Sequence, residues 1–531
     1  MTSTAGDVDA IVVGAGPNGL VGANVLAERG WSVLVLEAGP TPGGAARTAE
    51  LIEPGFRNDV GSAFYPLTVV SPPVVRMNLH EHGLEWLHAP IVVANPGPDG
   101  LCPLIARDLD ETCDALDKTH PGDGDNWRRF YGRWQAVGRQ VLEAMLTPFP
   151  PVKAIAKLAM RLPPSEYGRF ARFAVLPSRR MGEECFDGEP ARRLLAGTAL
   201  HADLAPELNL AGFFGWILCC LAQDVGFPVP RGGAQAISDA LVSRLRSLGG
   251  DVRCGAPVDT VVVEDGRATG VRLRDGEQVA ARRAVLADVS APMLYRHLVD
   301  RRHLPPRLLE DIEHFMWDAS NVKVDWNLNG PIPWSTPDAR RAGTVHVCDD
   351  VDDLSRYATQ LATGQVPDNP YLVFGQQSIT DETRSPAGTE TAWAYTHVPR
   401  TVKSDPLGEV SGRWDDDDAE AFADRVEARV EALAPGFRSL IRGRHVFTPH
   451  DLEAFDANLS LGAVNGGTAQ LHQQLIFRPV PGLARAGTPI KGLYLASASA
   501  HPGGGVHGAS GANAARAALA AARRRALAGL R

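Results

Sequence analysis

The chain has 531 residues, of which 44% are hydrophobic and 22% charged, and it carries a formal net charge of -9 at pH 7. This length predicts two or three closely packed units rather than one small domain, and the composition is that of a globular protein. The acidic balance, without a long basic run, argues against nucleic-acid binding.

The N-terminal segment predicts a dinucleotide-binding unit. Residues 10–13 form an apolar, β-branched run, which is typical of a parallel strand buried on both faces. The helix predicted over residues 18–29 ends at Gly30, and residues 32–36 predict a second buried strand. We therefore expect a strand, a helix and a second parallel strand in direct succession.

The turn between this strand and helix has the spacing G-x-G-x-x-G at Gly14, Gly16 and Gly19. The three glycines permit a tight turn, close approach of the backbone to a pyrophosphate and packing of the helix on the strand. Pro17 and Asn18 begin the helix, whose free N–H groups favour a phosphate. The alternative interpretation is a glycine turn that binds nothing.

An acidic residue, Glu37, follows the second strand, 18 residues after Gly19. A carboxylate at this position accepts hydrogen bonds from ribose hydroxyls and repels a 2′-phosphate. FAD or NAD therefore fits better than NADP.

The segment GPTPGGAARTAELIEPGFRNDVGSAFYPL decides between FAD and NAD. Gly43-Gly44 followed by Arg47 resembles the G-G-x-x-R-T sequence of flavoproteins of the amine oxidase and phytoene desaturase superfamily. The resemblance implies that the glycines run against the pyrophosphate and flavin and that the arginine donates near them. Asp59-Val60-Gly61-Ser62 resembles the family's D-x-G turn near the flavin ring, which implies that Gly61 and Ser62 contact the cofactor. Taken alone, each motif is only a turn.

The middle of the chain predicts an insertion followed by a return to the nucleotide domain. Residues 66–229 are largely helical in pattern. Within them, residues 141–180 alternate apolar with basic side chains, which fits either peripheral contact with an anionic membrane or helices packed on the core with solvated basic faces. Residues 230–286 predict a glycine turn, a helix and hairpin strands. Val258 matches the family's adenine-side position.

Lys323 lies in the segment SNVKVDWNLNGPIPW, residues 320–334. This segment resembles the strand of flavin amine oxidases whose lysine holds a water against flavin N5, which implies a catalytic role in reoxidation by O2. The other interpretation is a solvated side chain on an edge strand.

The C-terminal sequence GLYLASASAHPGGGVHGASGANAARAAL resembles the second flavin signature of phytoene-desaturase-like oxidoreductases. The resemblance implies that this stretch covers the flavin ring and ribityl chain, and that the next helix points its N-terminus at the flavin. The residues assigned to this contact are Ser497, His501, Gly504, Gly505 and Val506. His501 is also a candidate acid or base, although a shape role fits so glycine-rich a loop.

The resemblance covers the whole chain, and residues 449–497 resemble the approach to the C-terminal signature in the branch with carotenoid ketolases and pyridine nucleotide-disulphide oxidoreductase domain-containing protein 2. It implies an α/β fold, with a Rossmann-type FAD-binding domain of the glutathione reductase/amine oxidase kind and an inserted α+β substrate domain. The expected segments are a first FAD-binding segment (1–65), an inserted substrate or helical region (66–229), a second FAD-binding segment (230–291), a mixed-sheet substrate domain (292–450) and a third FAD-binding segment with the C-terminal helix (451–531).

The predicted function is FAD-dependent hydride transfer from an apolar, polyene- or lipid-like substrate to flavin N5, as in a desaturase or dehydrogenase. The alternatives are oxidation of an amine or alcohol by O2, a redox-neutral saturation or isomerisation, and a non-enzymatic prenyl or lipid carrier of the GDP-dissociation-inhibitor kind. Residues expected to line the substrate pocket are Phe64, Tyr65, Phe213, Phe214 and Trp216.

The remaining expectations concern partners and location. The electron acceptor is O2, a quinone or a redox partner, and the oligomeric state stays open. Seven cysteines without metal-ligand spacing or a C-x-x-C predict reduced residues and no metal site. The absence of a signal-peptide pattern and of a long apolar run predicts a cytoplasmic protein, peripheral at a membrane at most.

Overall fold

The structure is a computed structural model and describes residues 8–529. Its strands are β1 (Val8–Val13), β2 (Val33–Leu36), β3 (Thr48–Ala49), β4 (Asn58–Asp59), β5 (Trp86–Leu87), β6 (Ile91–Ala94), β7 (Leu104–Ala106), β8 (Val229–Pro230), β9 (Asp251–Arg253), β10 (Val258–Glu264), β11 (Arg267–Leu273), β12 (Gln278–Ala287), β13 (Ser320–Leu328), β14 (Ala342–Val347), β15 (Leu372–Gly375), β16 (Glu390–Val398), β17 (Ile441–Phe447) and β18 (Leu493–Leu495).

The α-helices lie between these strands and at the C-terminus. They are α1 (Pro17–Ala27), α2 (Pro66–Val70), α3 (Pro72–Val75), α4 (Leu109–Thr119), α5 (Asp123–Leu146), α6 (Val152–Arg161), α7 (Tyr167–Val175), α8 (Ser178–Cys185), α9 (Glu189–Ala199), α10 (Ala211–Asp224), α11 (Gln235–Ser247), α12 (Ala291–Met293), α13 (Pro306–Glu313), α14 (Val351–Thr363), α15 (Gln377–Thr380), α16 (Asp416–Leu433), α17 (Phe437–Leu440), α18 (Pro449–Phe455) and α19 (Ala509–Gly529).

The first sheet contains the dinucleotide unit. Its parallel strands lie in the order β9, β2, β1, β12, β18, with Ile11 paired to Leu34 on one side and to Val285 on the other. The early half of β12 instead pairs antiparallel with β11, which pairs with β10. Strands from three distant regions of the chain therefore form one sheet, and their carboxyl ends meet at one edge.

The second sheet carries the substrate side of the molecule. Within residues 8–529 it has seven strands in the order β17, β13, β16, β15, β14, β6, β7, antiparallel except for the β14–β6 pair. Strands β6 and β7 come from the 66–229 region, which the sequence pattern describes as largely helical. These short runs pair with β14 and so extend the sheet of the later segment.

The helices of the inserted region form a separate apolar core against this sheet. Trp127 and Trp216 are fully buried in it, and α10 packs on α9. Burial of α10 explains its uniformly apolar sequence. None of the helices within residues 8–529 is both long enough and apolar enough to cross a membrane.

Two contacts hold the segments together. Helix α19 packs directly on α1, where Gly22 lies against the carbonyl of Gly511. The buried guanidinium of Arg384 contacts Asp59 at 3.0 Å and Asp381 at 2.9 Å, and Asp381 also accepts a hydrogen bond from the Gly232 N–H. The ion pairs therefore connect the first FAD-binding segment to the substrate domain, and the hydrogen bond from Gly232 adds the second FAD-binding segment.

Candidate functional site

The turn after β1 exposes the N-terminus of α1. Gly14 has φ +95°, a conformation that favours glycine, and Pro17 occupies the first turn of the helix. Gly16 is the N-cap and supplies no side-chain cap, so the first N–H groups of the helix stay open to a ligand. The Gly19 N–H is the exception, because it donates to Asp288 Oδ2 at 2.7 Å.

Glu37 lies at the carboxyl end of β2, as its sequence position predicts. Its carboxylate accepts hydrogen bonds from the Ala15 N–H at 2.7 Å and from the Gly39 N–H at 2.8 Å. The side chain therefore fixes the turn at the ribose side of the predicted site. Val258 lies at the start of β10, where it pairs with Leu273.

The double glycine comes into direct contact with the first glycine turn. Gly43 has φ +135° and Gly44 has φ +53°, and a Cβ on Gly44 would lie 3.2 Å from Gly16 Cα. Arg47 holds this loop from behind: it donates to the carbonyls of Gly44 and Phe455 at 2.8 Å, and its guanidinium stacks 3.8 Å from the centre of the Phe455 ring. Two of its N–H groups are therefore used by protein carbonyls, and Arg47 is not among the residues that line the cavity described below, so its contact with the cofactor stays a prediction.

The C-terminal loop closes the other side of the cradle. Gly503 and Gly505 have φ +117° and +97°, and a Cβ on Gly504 would lie 2.6 Å from Asn465 Oδ1. The Ser71 hydroxyl donates to the His507 carbonyl, which fixes this loop on the inserted region. Residues 14–19, 43–44 and 503–505 are called the glycine cradle below.

His501 is placed differently from the catalytic expectation. Its Nε2 lies 3.0 Å from the Thr147 carbonyl and its ring makes an edge contact with Phe149, so the side chain points into the protein. Burial lowers the pKa of His501, which favours the neutral ring. His507 lines the cavity instead. The sequence offered two histidines in one glycine loop and no signal to choose between them.

One cavity joins the glycine cradle to an apolar region. On the cradle side it is lined by predicted residues Gly16, Pro17, Asn18, Gly44, Gly61, Ser62, Ser497, Gly504, Gly505 and Val506. On the far side lies an apolar wall, defined as Phe64, Leu67, Phe214, Ile217, Leu218 and Phe227. Phe64, Tyr65 and Phe214 therefore face the cavity as predicted, whereas Phe213 and Trp216 pack in the helical core.

Lys323 lines the same cavity from β13. This strand lies between β16 and β17, so the interpretation as a solvated edge residue is wrong. The ammonium pairs with Asp325 and lies 5.8 Å from the ring centres of Trp393 and Phe447. Burial raises the pKa of Asp325 to about 6 although the charge of Lys323 lowers it.

Of the cavity residues that escaped the sequence analysis, four bear most directly on the chemistry of the site. Trp393 and Tyr395 stack at 6.0 Å on β16, with Tyr395 directly opposite Lys323. His201 lies on the opposite wall, its Nε2 2.6 Å from His346 Nε2, and burial lowers its pKa to about 4. Asp288 follows β12 at the same sheet edge as Glu37. That shared edge is a signal that could have identified Asp288 from the sequence.

A buried arginine supports the loop that faces the glycine cradle. Arg478 donates to the carbonyls of Asn465, Gly466, Thr468 and Ala498, among others. Burial lowers its pKa to about 10, and the nearby Asp318 carboxylate opposes that shift. The loop that it holds brings the Asn465 side chain against Gly504.

The cradle fits a flavin dinucleotide. Asn18 Oδ1 is buried at the cavity without a hydrogen-bond partner among residues 8–529, as expected for an acceptor reserved for a ligand. Gly16, Gly44 and Gly504 line the same cavity from three distant segments, and each packs so closely on other protein atoms that a side chain would not fit without a shift. Fold and site together define a dinucleotide-binding oxidoreductase with a split cofactor site.

Comparison with known proteins gives the same class. Residues 12–89 match the NAD(P)-binding Rossmann-like domain, and residues 106–519, more than half of the chain, match the flavin containing amine oxidoreductases. The chain belongs to the flavin containing amine oxidoreductase family. Its cofactor is FAD, and it is a flavin oxidoreductase of the amine oxidase and phytoene desaturase type.

Individual relatives span nearly the whole chain. The chain is 29% identical to pyridine nucleotide-disulfide oxidoreductase domain-containing protein 2 of Rattus norvegicus, over 96% of this chain and 93% of the relative. It is 27% identical to a neurosporene-forming phytoene desaturase of Rhodobacter capsulatus, over 95% and 92%. The fold is similar to that of an oxidoreductase from Methanosarcina mazei, with a TM-score of 0.63, 15% identity and coverage of 96% and 99%.

Proposed function

We propose that this enzyme moves a hydride from an apolar, polyene- or lipid-like substrate to flavin N5, as a desaturase or dehydrogenase does. The observation that carries this proposal is the single cavity in which the glycine cradle continues into the apolar wall. Such a wall binds hydrocarbon by excluding water, and it offers few groups for acid–base chemistry.

In this proposal the chain positions the substrate and FAD supplies the hydride acceptor. The apolar wall holds the hydrocarbon, and Trp393 stacked on Tyr395 gives the cavity a flat side. The second hydrogen leaves as a proton to water. Burial lowers the pKa of His201 to about 4 and also lowers the pKa of His346, so both rings are neutral at pH 7 and too weakly basic to retain that proton. The electron acceptor is a quinone or a redox partner in a desaturase, and O2 in an oxidase.

The first experiment is an absorption spectrum of purified protein with added FAD. We expect the bound flavin to give bands near ~370 and ~450 nm, and anaerobic addition of a polyene or an unsaturated lipid to bleach the longer-wavelength band. A protein that binds no flavin would instead support the carrier alternative. A flavin that is bleached by amines or alcohols and never by apolar substrates would overturn the desaturase assignment.

A second candidate is an oxidase of amines or alcohols that uses O2. The observation that favours it is that Lys323 on β13 lies opposite Tyr395 on β16, next to the Trp393–Tyr395 stack. All three side chains line the cavity. Reoxidation of photoreduced protein by air distinguishes the two, since an oxidase reoxidises fast. Fast reoxidation that slows in Lys323→Met would support the oxidase, and slow reoxidation unaffected by this change would exclude the lysine role.

We further propose peripheral contact with an anionic membrane through α6 and α7. Only Ala154 of α6 is buried, while Val152, Ile155 and Met160 are 66%, 51% and 78% exposed. Lys153, Lys157 and Arg161 are exposed on the same helix. The helix follows α5, whose residue Met145 lines the cavity, so an apolar substrate could enter from the lipid.

A further inference from the structure

The Asp288 carboxyl group lies within the turn that receives the pyrophosphate. Its Oδ2 accepts the Gly19 N–H at 2.7 Å, and a Cβ on Gly16 would lie 2.7 Å from the same oxygen. The side chain is 7% exposed and lines the cavity with Gly16, Pro17 and Asn18. The Asp288 carboxyl group therefore shares the cavity with the N-terminus of α1, which is the predicted phosphate position.

The charges around Asp288 are predominantly negative. Asp456, which follows α18, is partly buried and its Oδ2 lies 3.3 Å from the position of a Cβ on Gly44, and Glu37 lies at the end of β2. The cation in this arrangement, Arg47, faces Asp456 and Glu37. Helix α1 contributes N–H groups and no charged side chain to this contact. Burial raises the pKa of Asp288 to about 8, and the charges of Asp456 and Glu37 act in the same direction.

We propose that Asp288 contacts the FAD pyrophosphate as a neutral carboxylic acid, so that binding of FAD retains a proton at this side chain. Oδ2 accepts the Gly19 N–H, and the proton on Oδ1 is donated to a phosphate oxygen. A carboxylate here would face the phosphate charge in a low-dielectric site without a cation of its own among the described residues. This contact involves the cofactor alone and does not depend on which substrate the enzyme uses.

The proposal fixes the pH dependence of FAD affinity. Below the pKa of free Asp288 the acid is already protonated, so the Kd for FAD is constant. Above it, the free carboxyl group loses a proton that the complex keeps, and the Kd rises by up to about tenfold per pH unit. The transition lies near pH 8 because that is where the free acid titrates.

The test is a titration of FAD-depleted protein with FAD, followed by flavin fluorescence from about pH 6 to about pH 9. FAD binding by the wild-type protein should weaken above about pH 8. The Asp288→Asn variant should bind FAD equally well across the range, and more tightly than wild type at the alkaline end. The matched variant Asp456→Asn should still lose affinity for FAD at alkaline pH, as the wild-type protein does. A flat wild-type profile, or a loss abolished only by Asp456→Asn, would overturn the proposal.

A calorimetric measurement on the wild-type protein tests the proposal without relying on correct folding of the variant. Wild-type protein is titrated with FAD near pH 8.5 (about half a unit above the titration) in two buffers of different ionisation enthalpy. Uptake of between half a proton and one proton per FAD supports the assignment, and zero uptake overturns it. Neither measurement depends on the substrate, so a failed hydride-transfer assay leaves this result untouched.

Discussion

Single residues decide how closely the two ends of the chain approach each other. A Cβ on Gly511 would lie 1.7 Å from the Asn18 carbonyl, so α19 can pack on α1 at this distance only with glycine there. Because Asn18 also lines the cavity, this contact ties the C-terminal helix to the FAD site.

We expect Gly511→Ala to lower the free energy of unfolding by about 1–3 kcal/mol, because the backbone of α1 must move to admit the methyl group. The same movement should weaken the retention of FAD. Thermal unfolding measures the change in stability, and the release of flavin during unfolding measures the retention. Gly168→Ala is the control: it lies on exposed α7 with no atom within 4 Å of the new Cβ, and it should leave FAD retention unchanged. Equal behaviour of the two variants would contradict the packing argument.

At the scale of elements, the buried ion pairs of Arg384 with Asp59 and Asp381 connect three parts of the chain. They join β4 to the loop before β16, and the Gly232 N–H, which donates to Asp381, adds the start of the second FAD-binding segment. Burial raises the pKa of Asp381, but hydrogen bonds from Thr383 and from the Gly232 N–H, with the Arg384 charge, lower it overall. A lowered pKa means that this pairing stabilises the fold above the ordinary Asp pKa of 3.8, and that the contribution is lost as pH falls through the lower folded value.

We expect Arg384→Met to cost about 3–5 kcal/mol at neutral pH, since it leaves two buried carboxylates unpaired. The difference from wild type should narrow at pH values below 3.8, where the Asp381 carboxyl group becomes protonated. Urea unfolding at several pH values measures both effects. Arg442→Met removes the exposed pair with Glu53 and should have a much smaller effect. A loss for Arg384→Met that does not depend on pH would argue against the pairing.

The sequence pattern predicted the type of most elements and missed how distant ones combine. Residues 10–13, 18–29 and 32–36 became a strand, a helix and a strand close to the expected bounds, because local periodicity encodes them. Strands β6 and β7 were missed, since they are short and are stabilised by pairing with β14. The position of Lys323 in the interior of a sheet likewise depends on β17, more than 110 residues later.

At the scale of the molecule, several exposed apolar side chains follow cavity residues along the chain. Besides those of α6, they include Leu475, Ile476 and Phe477, which follow the cavity residue Gln474. Such a patch is costly in water and favourable at a lipid interface, where exposed lysines and arginines add attraction to anionic headgroups.

The double variant Ile155→Ser/Met160→Ser should reduce co-sedimentation with anionic phospholipid vesicles at least several-fold, without loss of bound FAD. Binding of wild type should weaken with added salt, because the basic residues contribute. Leu407→Ser, at a site 50% exposed in another region of the surface, is the control and should bind as wild type does. Vesicle binding that survives the double variant would refute this surface as the contact.

The cofactor class and the family follow from the amino-acid sequence alone, because glycine spacing and the acid after a strand are local features that the dinucleotide requires of any chain. The same local pattern shows that Gly14, Gly16 and Gly19 begin the site. It took the three-dimensional arrangement to establish that Arg47 supports a loop, that His501 points away from the cavity and that Asp288 lies at the glycine turn. These roles depend on which side chains from distant segments meet in space, and no local pattern encodes that.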